Sequence, residues 1–145
     1  MMGYVFMRFG TEFQPENVDR LREKVGECLE RAGIFGSTAF LLLNMMDELI
    51  CNILEHGHAS WVELEVHPDA KEVRVIFRDD GPKFDTAESL AHSGQKESLG
   101  SEEGRRMGLF IVRKIAKSWT YRHTENKVNE LELIADLERQ PEGKA

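Results

Sequence analysis

Residues 47–58 read DELICNILEHGH, a stretch whose apolar members belong on a buried helix and whose polar members do not. Leu49, Ile50, Cys51, Ile53 and Leu54 ask for burial, yet Glu48, Asn52 and His56 recur among them every four residues, and Asn44 extends the same row backwards. At about 100° per residue these four drift by only about 40° per step, so they form one polar line with Glu55 beside it. Most of the remaining circumference is Leu, Ile, Met or Phe, the pattern of a helix buried nearly all round. A carboxylate and an amide left there without partners are strongly unfavourable. Either the line is a solvent-exposed stripe at the edge of the core, or something polar faces it.

The segments on either side supply the frame. Ser37 is placed to cap this helix, which runs to about His56 with Gly57 positioned to end it. Before it, PENVDRLREKVGECLERAG carries an apolar stripe of Val18, Leu21, Val25 and Leu29, with Pro15 in the first turn and Gly33 as the stop. GYVFMRFG reads as a strand over Tyr4 to Phe9. After Gly57 the period falls from near 3.6 to 2: WVELEVH and EVRVIFRD both alternate, and the turn-like PDAK joins them into a hairpin.

From Gly81 to Met107 the chain is rich in Gly, Ser and charge and lacks periodicity, apart from a short helix capped by Asp85 with Glu88 three residues on. A loop of this length in a small domain is characteristically a functional lid or disordered. A third helix is expected from about Gly108 to Ser118. Strands near WTYRHTE and VNELELIADL, turned at Asn126–Lys127, close the chain, and residues 139–145 read as a frayed tail. The sum is a single domain over 1–145, an α/β two-layer sandwich whose mostly antiparallel sheet is covered on one face by helices.

Composition narrows the function. With 41% hydrophobic and 31% charged residues the chain is ordinary for a soluble globular domain. Its net charge of −7 disfavours nucleic acid as a partner, although a local basic cluster can still hold a small phosphate compound. Cys28 and Cys51 have no metal-ligand or redox spacing and read as buried free thiols, which fits a cytoplasmic protein. The run FLLLNMMDELICNIL is broken by Asn44, Asp47 and Glu48, which argues against a membrane span, and residues 1–10 do not have the form of a secretion signal.

Two further segments suit one ligand with the polar helix. In FRDDGPKFD a strand-end Asp79 is followed two positions later by Gly81, so a carboxylate can point into a pocket while backbone approaches a flat ligand; Asp-Gly is also a common turn signal. In EGRRMGLFIVRKIA a doubly basic, glycine-containing loop runs into a helix start, where backbone amides with Arg105 and Arg106 make a natural site for phosphate oxygens, or simply an exposed basic turn.

Taken in order, Glu48-x3-Asn52-x3-His56-Gly57, Asp79-Asp80-Gly81-Pro82-x-Phe84-Asp85 and Gly104-x3-Gly108-Leu109-Phe110-Ile111-Val112-Arg113 resemble the N, G1 and G2 boxes of the GHKL ATPase superfamily. The resemblance covers roughly residues 10–137, and the compact form is similar to the bacterial anti-sigma-factor serine/threonine kinases. It implies the Bergerat, histidine-kinase-like ATPase fold, with ATP and Mg²⁺ as cofactors. It implies that Asn52 holds the metal, a role suited to an oxygen donor toward a hard cation, and that Glu48 is the general base. Asp79 would read adenine with Gly81 giving it room. Residues 82–107 would form the ATP lid, and Gly104, Arg105, Arg106, Met107, Gly108 and Leu109 would close on the phosphates.

Two positions depart from the pattern. Arg106 stands where many relatives place a glycine, and Glu132 stands where a small hydroxyl residue is frequent. The resemblance implies a kinase that binds a sigma factor and phosphorylates a STAS-type antagonist, with a homodimer formed through the exposed edge of the first strand near Tyr4, Phe6 and Met7. The competing reading, favoured by the two departures, is a non-catalytic binding module in which nucleotide orders the lid and so selects a protein partner. Sensor-kinase relatives would need a helical dimerisation segment before the domain and topoisomerase-like relatives a transducer domain after it, so the expectation from these 145 residues is a stand-alone module.

Overall fold

Alternation of apolar and polar residues organises the sheet, and the helices follow from where its apolar face lies. A computed structural model of the chain describes residues 3–10, 15–69, 71–83 and 114–137. The expected lid helix at Asp85, residues 104–109 expected to meet phosphates and the tail expected to fray lie outside them. Seven elements are described: strand β1 Val5–Gly10, helix α1 Pro15–Arg31, helix α2 Gly36–His56, and strands β2 Trp61–Pro68, β3 Glu72–Asp79, β4 Ala116–His123 and β5 Asn129–Asp136.

The strands form one sheet in the order β1-β2-β3-β5-β4, and every described pairing is antiparallel. The two-layer sandwich with a mostly antiparallel sheet is therefore as expected. β2 and β3 are joined by a tight turn in which Asp69 Oδ1 accepts the backbone N–H groups of Lys71 and Glu72 at 2.8 and 2.9 Å. At the other hairpin Lys127 takes φ 64, and Thr124 and Val128 close the turn at 2.8 Å, where the sequence places it.

One face of the sheet is apolar. Met7 and Phe9, Val62, Leu64 and Val66, Val73, Val75 and Phe77, and Leu131, Leu133 and Ala135 are all buried, and they meet Leu21, Val25 and Leu29 of α1 and Leu42, Met45, Met46, Leu49 and Ile50 of α2. By length and composition α2 would also suit a membrane span, but its buried residues are members of this core. The opposite face of the sheet is a ladder of ion pairs. Arg8 binds Glu63 at 2.6 Å, Arg78 bridges Glu65 at 2.6 Å and Glu130 at 2.7 Å, Arg122 binds Glu130 at 2.6 Å, and Arg74 binds Glu132 at 3.1 Å.

Three local expectations are corrected. α2 begins at Gly36 after Phe35, with no side-chain cap, so Ser37 is already inside the helix; the link from α1 turns through Gly33 and Gly36 at φ 85 and 66, conformations that glycine adopts without strain. The third helix does not reach Ser118: residues 114–115 are helical and β4 starts at Ala116. There pairing with β5 overrides helical spacing, with a register irregularity between Ala116 and Ser118 that lets Trp119 and Tyr121 pack against the core. Cys28 is buried as expected, whereas Cys51 is only half-buried.

Candidate functional site

Asp79 is the last residue of β3 and stands in register between Val62 of β2 and Asn129 of β5. Its Oδ1 accepts two hydrogen bonds, from the Gly81 N–H at 2.8 Å and from Asn129 Nδ2 at 3.0 Å. Its Oδ2 has no hydrogen-bond partner among the described residues. Burial pushes the Asp79 carboxyl above its usual range, with the bonds from Asn129 and Gly81 pulling the other way. Its neighbour behaves oppositely. Asp80 accepts the backbone N–H groups of Ser60 at 2.8 Å and Trp61 at 3.2 Å and bonds the Ser60 hydroxyl. Against the effect of burial, those bonds hold the Asp80 carboxyl below the usual range. One of the two adjacent carboxylates is spent on the fold, and the other keeps an oxygen without a hydrogen-bond partner among the described residues.

Gly81 explains how this strand end meets α2. A Cβ at position 81 would lie 2.5 Å from the backbone oxygen of Gly57 and 3.1 Å from Asp79 Oδ1. Only a residue without a side chain allows the turn after β3 to rest directly on the chain that leaves α2. Gly57 ends that helix through its N–H to the Ile53 carbonyl at 3.0 Å. The structure thus brings the end of β3 and the end of α2 to one joint, with Asn52 and Glu48 about one and a half and two and a half turns back along the helix.

The polar row of α2 is divided between two neighbours. Asn44 accepts a hydrogen bond from Arg22 of α1 at 2.5 Å, and Arg22 also approaches Asp47 at 3.7 Å. Asn44 thus belongs to the contact between the helices and leaves the row. Glu48 stays half-buried, and burial followed by the charges of Asp47 and Glu55 raises its carboxyl above the ordinary value. Burial, followed by the same negative cluster, pushes the Cys51 thiol up to about 11, which disfavours the reactive thiolate. The side chain of His56 and residues Gly104, Arg105, Arg106, Met107, Gly108 and Leu109 lie outside the described residues.

Glu132 is on the other side of the sheet. It faces away from the helices and binds Arg74 at 3.1 Å, so the departure noted in the sequence does not reach the joint. The residue of β5 that does reach it is Asn129, only 6% exposed and the single buried polar side chain among the described residues. Its signal was its parity: along NELELIAD the apolar Leu131, Leu133 and Ala135 share the phase of Asn129, which places the amide on the buried face.

A five-stranded antiparallel sheet covered on one face by helices, with a carboxylate presented at the end of a central strand beside a helix terminus, defines the class as a histidine-kinase-like α/β sandwich. The chain belongs to the histidine kinase-like ATPase domain family, whose model matches residues 11–135. In three dimensions it is similar to a chain in the crystal structure of the SiaB–SiaC complex from Pseudomonas aeruginosa, with 12% identity, a TM-score of 0.58, and coverage of 90% of this chain and 89% of that one. Among curated proteins no sequence match is found.

Proposed function

We propose that this chain is an ATP-dependent serine/threonine protein kinase of the partner-switching type, an anti-sigma regulatory factor that phosphorylates a STAS-type antagonist. The observation that carries this reading is the Asp79 carboxylate, with one oxygen held by Gly81 and Asn129 and the other without a partner among the described residues. An acceptor so presented at the end of a strand, with backbone close beside it, suits the exocyclic amino group of adenine.

The residues of α2 fit a divalent cation and a base. Burial first, and then the charges of Asp47 and Glu55, raise the Glu48 carboxyl, and a hard cation among oxygen donors relieves such buried negative charge. Asn52 would hold Mg²⁺, which when bound neutralises the phosphate oxygens of the nucleotide. Glu48, with its carboxyl raised above the ordinary value, is suited to take the proton of a serine hydroxyl. Arg105 and Arg106 would contact the phosphates from the lid. Glu132 binds Arg74 on the far face, away from Asp79, which supports the catalytic reading over the non-catalytic module.

Family membership supports ATP use, and the SiaB–SiaC structure, a complex of two proteins, supports a protein as partner. A homodimer through β1 is part of this reading: β1 is an edge strand, and Tyr4 just before it and Phe6 on it are 62% and 50% exposed. A chain that stays monomeric in light scattering at high concentration with nucleotide present removes that element. The main test is transfer of radiolabelled phosphate from ATP to a protein co-purified from the native cell. Transfer that is lost in Glu48→Gln with ATP affinity retained supports the kinase. A wild type that binds ATP and its partner but transfers nothing replaces it with the ATP-gated binding module.

A further inference from the structure

We infer that Asn129 is the positioning residue for base recognition, and that the edge strand β4 sets its orientation through Tyr121 and His123. This rests on the reading of Asp79 as the group that meets the adenine amino group. Asp79, Asn129 and His123 lie in one register row across β3, β5 and β4. The Asn129 Nδ2 lies 3.0 Å from each of three acceptors: Asp79 Oδ1, the Gly81 carbonyl and the Pro82 carbonyl. None of these can donate, so the amide nitrogen faces them and the amide oxygen faces β4.

That oxygen lies 2.5 Å from the Tyr121 hydroxyl and 3.0 Å from His123 Nδ1. Both must therefore act as donors, which assigns the proton of the imidazole to Nδ1. A single buried amide is thus gripped on both ends. Its nitrogen clamps the turn Asp79–Pro82 and joins the Gly81 N–H in holding Oδ1, so that Oδ2 is the oxygen left for a ligand. Its oxygen is fixed by two side chains of the outermost strand. With no donors on its oxygen the buried amide would hold an unpaired acceptor and lose its anchor to β4, so its nitrogen would no longer fix the Asp79 carboxylate in its presented geometry.

The consequence is selectivity rather than bulk affinity. ATP offers an amino group to the carboxylate, and ITP offers a carbonyl oxygen in the same place, so the ratio of their affinities reads the presentation of Asp79. We expect wild type to favour ATP over ITP by about tenfold or more. Asn129→Ala, and independently the double variant Tyr121→Phe with His123→Ala, should collapse this ratio toward one while the affinity for ITP changes little. The double variant keeps Asn129 in place, and it carries the test if Asn129→Ala does not fold. A residue that only supports the fold would lower thermal stability and leave the ratio of the folded protein as it was, and that result overturns the inference. A wild type that binds both nucleotides equally overturns the Asp79 reading itself, and the inference with it.

Discussion

Replacing Asp79 by asparagine separates what this carboxylate does for the fold from what it does for a ligand. In Asp79→Asn the amide oxygen can take over both bonds now made to Oδ1, from Gly81 N–H at 2.8 Å and Asn129 Nδ2 at 3.0 Å. The amide nitrogen then occupies the place of Oδ2, which has no hydrogen-bond partner among the described residues, so no described contact is lost. Burial raises the Asp79 carboxyl above its ordinary value. A carboxyl with a raised pKa in the folded state is neutral in both states at low pH and costs nothing there. Above the raised value it is charged in both states and the fold carries the cost of burying the charge. Asp79→Asn should therefore leave thermal stability unchanged or higher near neutrality, and any advantage should fade as pH falls through the raised pKa toward the ordinary carboxylate range.

Binding should move the other way. An acceptor for the adenine amino group is replaced by a donor that faces another donor. Loss of a hydrogen bond to a charged group is worth about 1.5–3 kcal/mol, or about 10- to 150-fold in Kd. Calorimetric titration with ATP and thermal melts at pH 5 and pH 7.5 on both proteins measure the two effects. Unchanged ATP affinity removes Asp79 from base recognition. A melting temperature that drops steeply at neutral pH refutes the claim that the carboxylate is a burden on the fold.

Three further outcomes follow from the same geometry. Gly81→Ala puts a Cβ 2.5 Å from the Gly57 backbone oxygen, so denaturant unfolding should show a loss of about 1–3 kcal/mol, and a variant as stable as wild type would show that the joint between β3 and α2 is loose. For Glu48, whose carboxyl is raised by burial and by Asp47 and Glu55, a base must be deprotonated to act, so the acid limb of the pH–rate profile for phosphotransfer should lie above the ordinary carboxylate range; in Glu48→Gln transfer should fall by about 10²–10⁴-fold and that limb should disappear. Glu132→Thr, which restores the hydroxyl frequent in relatives, removes an exposed ion pair with Arg74 and should cost no more than about 1 kcal/mol; a change in ATP affinity or transfer rate would contradict its position on the outer face.

The architecture was legible where the period of the sequence was clean. The apolar stripe of Leu21, Val25 and Leu29 and the alternation of Trp61–Pro68 and Glu72–Asp79 each record a face pressed on one core, and the elements lie within a residue or two of where those patterns place them. The start of α2 was not, because Ser37 is a good cap by chemistry but the backbone turns through Gly36 first. Nor was the start of β4, because Ala116 and Lys117 suit either helix or strand and only their pairing with β5 decides between them.

The site shows the same division between what is local and what depends on a partner. The helix row from Asn44 to Asn52 is visible in the sequence because helical spacing is a property of one segment. That Asn44 turns to Arg22 depends on how α1 packs, which no spacing within α2 encodes. In β5, by contrast, the information was local and only its phase had to be used. Asn129 and Glu132 are three residues apart, an odd number, and in a strand an odd separation puts two side chains on opposite faces. Leu131 and Leu133 mark which face is buried, so Asn129 goes to the joint with Asp79 and Glu132 goes to the ion-pair ladder with Arg74. A polar residue that breaks an apolar phase is the stronger pointer to a site, since it is buried and must be matched. A polar residue that continues the polar phase, as Glu132 does between Glu130 and Asp136, is accounted for by the solvated face alone.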